Sequence, residues 1–218
     1  MKSRIVALTL SASLASFSLF ATAIAAEPPL KGDAAAGATK AAVCGACHGA
    51  TGNSVNPEWP NLAGQHHGYI SEQLALFKAG VRVAALMAPM AMALSDQDMA
   101  DLGAYFEQQT PAGLEANADL WQAGEKLYRG GDPSRSIPGC LGCHGPNGRG
   151  NGPARWPQIR SQQSGYVVNQ LKNYAANARY VAANGQQPPA NAQIMQTISK
   201  RLSDADMQAL AAYLQGLR

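Results

Sequence analysis

Apolar positions recur with a helical period in two matched pairs of segments. Met99, Leu102 and Phe106 lie at i, i+3 and i+7, and Met207, Leu210 and Leu214 repeat that spacing. A stripe of this kind gives a helix one face to bury. Ile70, Leu74 and Phe77 form a second stripe, matched by Val167, Leu171 and Tyr174. Each C-terminal stripe follows a helix-start signal, Ser95 with Asp98 three residues on and Ser203 with Asp206. There the serine side chain and the acidic side chain satisfy each other's backbone N–H groups. Earlier helices are predicted after Asp33 and from about Asp119 to Tyr128. No convincing run of strands exists, and proline and glycine break the chain between these segments, as in Gly145–Pro153. The pattern therefore predicts an all-α chain of helices and loops.

The matched stripes belong to a longer repeat. A shift of 97 residues lays Trp59-Pro60-Asn61-Leu62 on Trp156-Pro157-Gln158-Ile159, Gly68-Tyr69 on Gly165-Tyr166, and Gln73-Leu74 on Gln170-Leu171. A further shift lays Leu94–Met99 on Leu202–Met207. Each copy is long enough to close its own small core. The small-residue stretch Thr110–Gly113 is the natural linker, so the expected domains are 27–112 and 113–218.

Composition adds a compartment. Lys2 and Arg4 precede an apolar, serine-diluted stretch that ends in small residues before Glu27. Residues 1–26 thus read as a secretory signal peptide, and export points to the periplasm. Of the formal net charge of +3, Lys2 and Arg4 supply two. With no basic stripe, nucleic acid is not an expected partner. Peripheral membrane association stays open.

All four cysteines fall in two clusters, Cys44-Gly45-Ala46-Cys47-His48 and Cys140-Leu141-Gly142-Cys143-His144. Both read C-x-x-C-H, the attachment pattern of a c-type haem. Two thioether bonds join the cysteine sulfurs to one porphyrin, and the adjacent histidine lies where its imidazole can ligate the iron. A zinc site wants its cysteine pairs much closer together than residues 47 and 140. Local disulfides would leave both histidines unexplained. Two covalently bound haem c groups are therefore expected.

The sixth iron ligand separates a carrier from an enzyme. In the second copy Met207 lies within a core stripe, which leaves Met195, placed in the loop before the last helix. The first copy offers Met87, Met90 and Met92. Met195 stands seven residues before Leu202, and Met87 stands seven before Leu94, so the repeat selects Met87, with Met90 its rival. His66 and His67 align with Gln163 and Ser164 and are read as surface or rim residues. A thioether favours ferrous iron and fills the coordination site, which suits electron transfer rather than catalysis at iron. Pro60 and Pro157 follow the two motifs and can offer carbonyls to the free ring N–H of each axial histidine, with loop shaping as the alternative.

The paired C-x-x-C-H motifs, the Ala41–Ala50 segment, Leu62-Ala63-Gly64-Gln65 and the paired Leu-Ser-Asp helices resemble the cytochrome c4 family. The resemblance implies two tandem class I cytochrome c domains related by pseudo-twofold symmetry, with the haem propionate edges facing. It implies His48/Met87 and His144/Met195 as axial pairs, and supports Pro60 and Pro157 as partners of the histidines. It also implies crossed N- and C-terminal helices, with Gly37 and Gly124 allowing the close approach. The expected role is a non-enzymatic periplasmic shuttle from a quinol-oxidising complex to a terminal oxidase or reductase. The alternative is the dihaem subunit of a flavocytochrome-type dehydrogenase. The segment 129–136 and the longer gap from His144 to Met195 have no counterpart in the first copy.

Overall fold

The computed structural model describes residues 30–218; the leader expected at 1–26 lies outside them. The two serine start signals form as capping boxes. Ser95 accepts from the Asp98 N–H, and Asp98 accepts in return from the Ser95 N–H, opening α5 (Asp96–Glu107). Ser203 and Asp206 do the same for α10 (Asp204–Gly216).

Each of these helices is the axis of one domain. In the first, α5 packs on α1 (Ala34–Lys40) and α3 (His67–Lys78). In the second, α10 packs on α6 (Trp121–Gly130) and α8 (Ser164–Ala175). The short α2 (Gly45–His48), α4 (Met87–Met92), α7 (Leu141–His144) and α9 (Ala190–Ser199) complete the set. Ile70, Leu102 and Phe106 form the first core, while Leu127, Val167, Leu210 and Leu214 belong to the second. Met99 and Met207 are buried in their helices. Among the described residues no strand forms, only isolated bridges. No helix there is long and apolar enough to cross a membrane.

The helix crossings depend on two glycines. A Cβ on Gly37 would lie 2.1 Å from the Asp101 carbonyl oxygen, and one on Gly124 would lie 2.0 Å from that of Ala209. Asp101 adds a polar lock at the first crossing only, since Ala209 occupies the equivalent place. Its buried carboxylate accepts from the Asp33 N–H, Lys40 Nζ and Gln97 Nε2. The Asp33 N–H, then Lys40 and Gln97, hold its carboxyl at about 2. An unfolded aspartate titrates near ~3.9. A depressed folded pKa contributes stability above the unfolded value and loses it as pH falls towards the folded one. Asp101→Asn is therefore expected to lower the unfolding midpoint at pH 6, and its gap from wild type to shrink between about pH 4 and pH 2. A gap that stays constant over that range would refute the assignment.

Segment 129–136 has a defined shape. Asp132 caps a 3-10 turn over Pro133–Arg135, and Asp132 and Ile137 pair as an antiparallel bridge. Arg135 then bonds both Asp132 and Asp206, the acidic member of the α10 capping box. The insertion thus ties its loop to the start of the last helix.

The two domains meet in a buried polar seam. The Asn61 N–H donates to Gln162 Oε1 at 2.7 Å, and Gln162 Nε2 donates back to the Asn61 carbonyl at 3.0 Å. Across the pseudo-twofold axis, the Gln158 N–H donates to Gln65 Oε1 at 2.9 Å, and Gln65 Nε2 donates back to the Gln158 carbonyl at 2.8 Å. Residues 61 and 65 become 158 and 162 under the 97-residue shift, so the two exchanges are equivalent. Each such bond contributes about 1 kcal/mol net, whereas one left unmade in a buried site costs about 1–3 kcal/mol. The seam therefore enforces register between the domains.

Candidate functional site

Each C-x-x-C-H motif builds the same local structure. The Cys44 carbonyl accepts from the N–H groups of Cys47 (3.2 Å) and His48 (2.9 Å), and Cys140 accepts from Cys143 and His144 at the same distances. One turn of helix thus brings both thiols and the imidazole together. None of the four cysteines is paired in a disulfide; Cys47 and Cys143 are exposed, and Cys44 and Cys140 are partly covered. Burial raises the Cys44 thiol above its ordinary value and pushes Cys140 up to about 11.

Both histidines are buried. His48 Nδ1 lies 2.9 Å from the Pro60 carbonyl oxygen, and His144 Nδ1 lies 3.0 Å from that of Pro157. A carbonyl only accepts, so the proton sits on Nδ1 and the lone pair on Nε2. Burial lowers both histidines below their ordinary value, against a smaller raising effect from the proline carbonyls. Neutral imidazole, the form that ligates metal, is favoured. Two thiols and an oriented neutral imidazole in each domain are the donor set a covalent haem requires.

The methionines sit on helices, not in the loops expected from the sequence. Met87, Met90 and Met92 lie on α4, and Met195 on α9. Alanine and methionine favour helix, and Pro89 at the third position of α4 is tolerated because first-turn N–H groups lack intrahelical partners. Pro189 likewise precedes the first residue of α9. Met87 and Met195 are both half-buried, whereas Met90 and Met92 are 45% and 60% exposed. His67 is exposed and pairs with Glu107 at 2.8 Å. His66 instead enters the seam, its Nε2 lying 2.8 Å from the Arg149 carbonyl oxygen.

Sequence reasoning missed the seam residues Asn61, Gln65, Gln158 and Gln162, and a second set in which the half-buried Tyr69 and Tyr166 meet the buried Arg82 and Arg179. Arg82 and Arg179 are related by the 97-residue shift, as are Tyr69 and Tyr166. Repetition of a polar residue at equivalent positions was the available signal.

Two domains that each pair a C-x-x-C-H turn with a carbonyl-held histidine define a dihaem c-type cytochrome. A cytochrome c family model matches residues 34–110 and again 122–218. The chain is 44% identical to cytochrome c4 of Azotobacter vinelandii, over 85% of this chain and 90% of that one. The crystal structure of reduced recombinant cytochrome c4 from Pseudomonas stutzeri superposes with a TM-score of 0.79 at 41% identity, covering 86% of this chain and 100% of that one. A thiosulfate dehydrogenase electron acceptor of Thiomonas intermedia is 35% identical over 83% of this chain and 81% of its own length. The chain belongs to the cytochrome c family and, within it, to the cytochromes c4. It carries two covalently bound haem c groups and functions in electron transfer.

Proposed function

We propose that this protein is a periplasmic shuttle that accepts electrons from a quinol-oxidising complex and delivers them to a terminal oxidase or reductase, without catalysis of its own. The observation that carries the reading is the duplicated histidine–proline pair, which fixes two neutral imidazoles with Nε2 available. In this reading Cys44 and Cys47 hold one haem and Cys140 and Cys143 the other. His48 with Met87, and His144 with Met195, would supply the protein ligands to the two irons. Pro60 and Pro157 fix the tautomer and orientation of the histidines and raise their basicity. When bound, each haem supplies a one-electron iron couple. Met87 and Met195 would fill the position an exogenous ligand needs, and thioether ligation keeps the potential high. The signal peptide at 1–26 and the domain limits 27–112 and 113–218 belong to the same proposal.

An optical spectrum with haem quantified per chain tests it. Two haems and a far-red methionine-to-ferric-iron band of two-haem intensity are expected. A halved or missing band, with rapid cyanide binding, would favour an enzyme. Cys44→Ala is expected to leave one securely attached haem per chain, half the wild-type content; an unchanged count would refute that attachment site.

A second reading has support in the Thiomonas intermedia relative, named as the electron acceptor of a thiosulfate dehydrogenase. On this reading the chain serves as the dihaem subunit of a dehydrogenase, whether of that kind or of the flavocytochrome kind. Stable co-purification with a dehydrogenase favours it, and direct reduction of an oxidase by the isolated chain counts against it.

A further inference from the structure

The formal charges of the whole chain sum to only +3, but they do not cancel within each half. Residues 27–112 carry 4 Lys+Arg against 8 Asp+Glu, and residues 113–218 carry 11 against 6. The excess is concentrated. From Pro133 to Ser203 there are eight basic residues and no acidic one, and this stretch supplies both the second haem motif and Met195. The carboxylates at its ends are already engaged. Asp132 and Asp206 bond Arg135, and Asp204 bonds Lys172. The chain that frames the second haem site is therefore cationic, and nothing in the first domain matches it.

Part of that charge rims an apolar surface. The exposed Pro138, two residues before Cys140, meets Ile194 and Ile198 of α9 around an open depression of about 390 Å3, which Gln193, Thr197 and Arg201 also line. Ile194 is 50% exposed, beside the half-buried Met195. Lys200 caps the C-terminal end of α9 and Arg201 follows it, and both are exposed. Among the described residues neither forms an ion pair with a carboxylate. Arg201 Nη1 instead donates to the Ser136 carbonyl, so the insertion at 129–136 helps to shape this rim.

An apolar centre inside a charged rim is the anatomy of a protein–protein contact, and redox encounters use small ones. Charge at the rim steers a partner of opposite sign and speeds its arrival. We propose that this face of the second domain, centred on Pro138, Ile194 and Ile198 and rimmed by Lys200 and Arg201, docks a redox protein whose own contact surface is acidic. The proposal rests on the haem seating given above, since Ile194 adjoins Met195 and Pro138 stands just before the Cys140 attachment point. An anionic bilayer would attract the same charges. A protein is the better fit because the patch adjoins an iron ligand, where a redox partner gains from docking and a lipid surface does not. The first domain does not compete for such a partner. It is acidic overall, and Met92 and Ala93 stand where the second copy has Lys200 and Arg201.

The test uses the reduced, haem-loaded, 15N-labelled protein, with poly-L-glutamate as the acidic polypeptide. At low salt its addition is expected to shift the amide signals of residues 193–201 and of the loop around Ser136. Salt at about 1 M, where screening acts over about 3 Å, should reverse the shifts. The double variant Lys200→Glu/Arg201→Glu is expected to weaken binding about tenfold at low salt. Lys200→Glu alone should give part of that loss, and it keeps the test decisive if Arg201→Glu disturbs the loop through Ser136. Lys126→Glu, on the exposed face of α6, makes the same change of charge as Lys200→Glu and should leave binding unchanged. Shifts that fall on the first domain, or a Lys126→Glu loss as large as that of Lys200→Glu, overturn the docking face. Phosphatidylglycerol vesicles supply the last arm. Co-sedimentation of the protein with them at a salt concentration where poly-L-glutamate no longer shifts the α9 signals would assign the patch to a membrane and overturn the proposal. The far-red methionine band of the oxidised sample reports the haem seating separately. Its loss would indict the seating, whereas an intact band with unmoved α9 signals would overturn the docking alone.

Discussion

Met87→Ala is expected to convert one of the two haems to high spin and to halve the far-red methionine band, leaving the other haem unchanged. Alanine offers no donor at that point of α4, and Met90 and Met92 on the same short helix are directed further into solvent, at 45% and 60% exposure. Loss of a thioether removes the soft ligand that favours ferrous iron. The potential of the affected haem should fall by something on the order of 0.2 V, a modest part of the ~0.8 V that axial ligands command. Met195→Ala should do the same to the second haem, and the two effects should add. Redox titration of each variant, followed by its visible spectrum, measures both quantities. If Met90→Ala produced this phenotype and Met87→Ala did not, the repeat register that selected Met87 would be wrong.

Gly124→Ala sets two opposing effects against each other. Alanine in place of glycine favours a helix by about 1 kcal/mol. At Gly124, however, the new Cβ would lie 2.0 Å from the Ala209 carbonyl oxygen and 2.8 Å from the Tyr213 Cβ. The first obstacle is backbone, held in the α10 hydrogen-bond ladder, and cannot rotate away as a side-chain tip would. Overpacking of this kind costs about 1–3 kcal/mol and occasionally more. The clash should win, lowering stability by about 1 kcal/mol net and moving the denaturant midpoint of the second domain downward. Gly130→Ala is the internal control. It lies in the last turn of α6 with nothing within 4 Å of the added atom, so it should be neutral or slightly stabilising.

Much of this architecture was legible because it depends on local rules applied twice. Serine and aspartate three residues apart mark a helix start wherever they occur, and Ser95/Asp98 and Ser203/Asp206 obey. Cysteine spacing and the adjacent histidine are a covalent requirement of the cofactor. The methionine helices were not legible, because Pro89 and the Pro188-Pro189 pair carry the same letters as loop breakers while acting at helix starts. The seam was hidden for a different reason. Asn61, Gln65, Gln158 and Gln162 have the composition of an exposed loop, and only tertiary placement turns their amides into paired donors and acceptors. Arg82 and Arg179 likewise look like solvated charges one at a time. His66 reads as a rim residue until the Arg149 carbonyl is brought across from the other domain.

The reciprocal amide exchange of the seam has a consequence for assembly. In it, each half gives the other the same contacts it receives, which is the geometry of an isologous interface in a homodimer. Here both partners are on one polypeptide, joined through residues 110–117, which form no helix. A short tether replaces bulk concentration with an effective concentration in the millimolar range or above. Pairing of the halves, and with it the spacing of the two redox centres, thereby becomes independent of how much protein the compartment contains. Dilution that would dissociate a weak twofold dimer of single-haem subunits leaves this molecule intact.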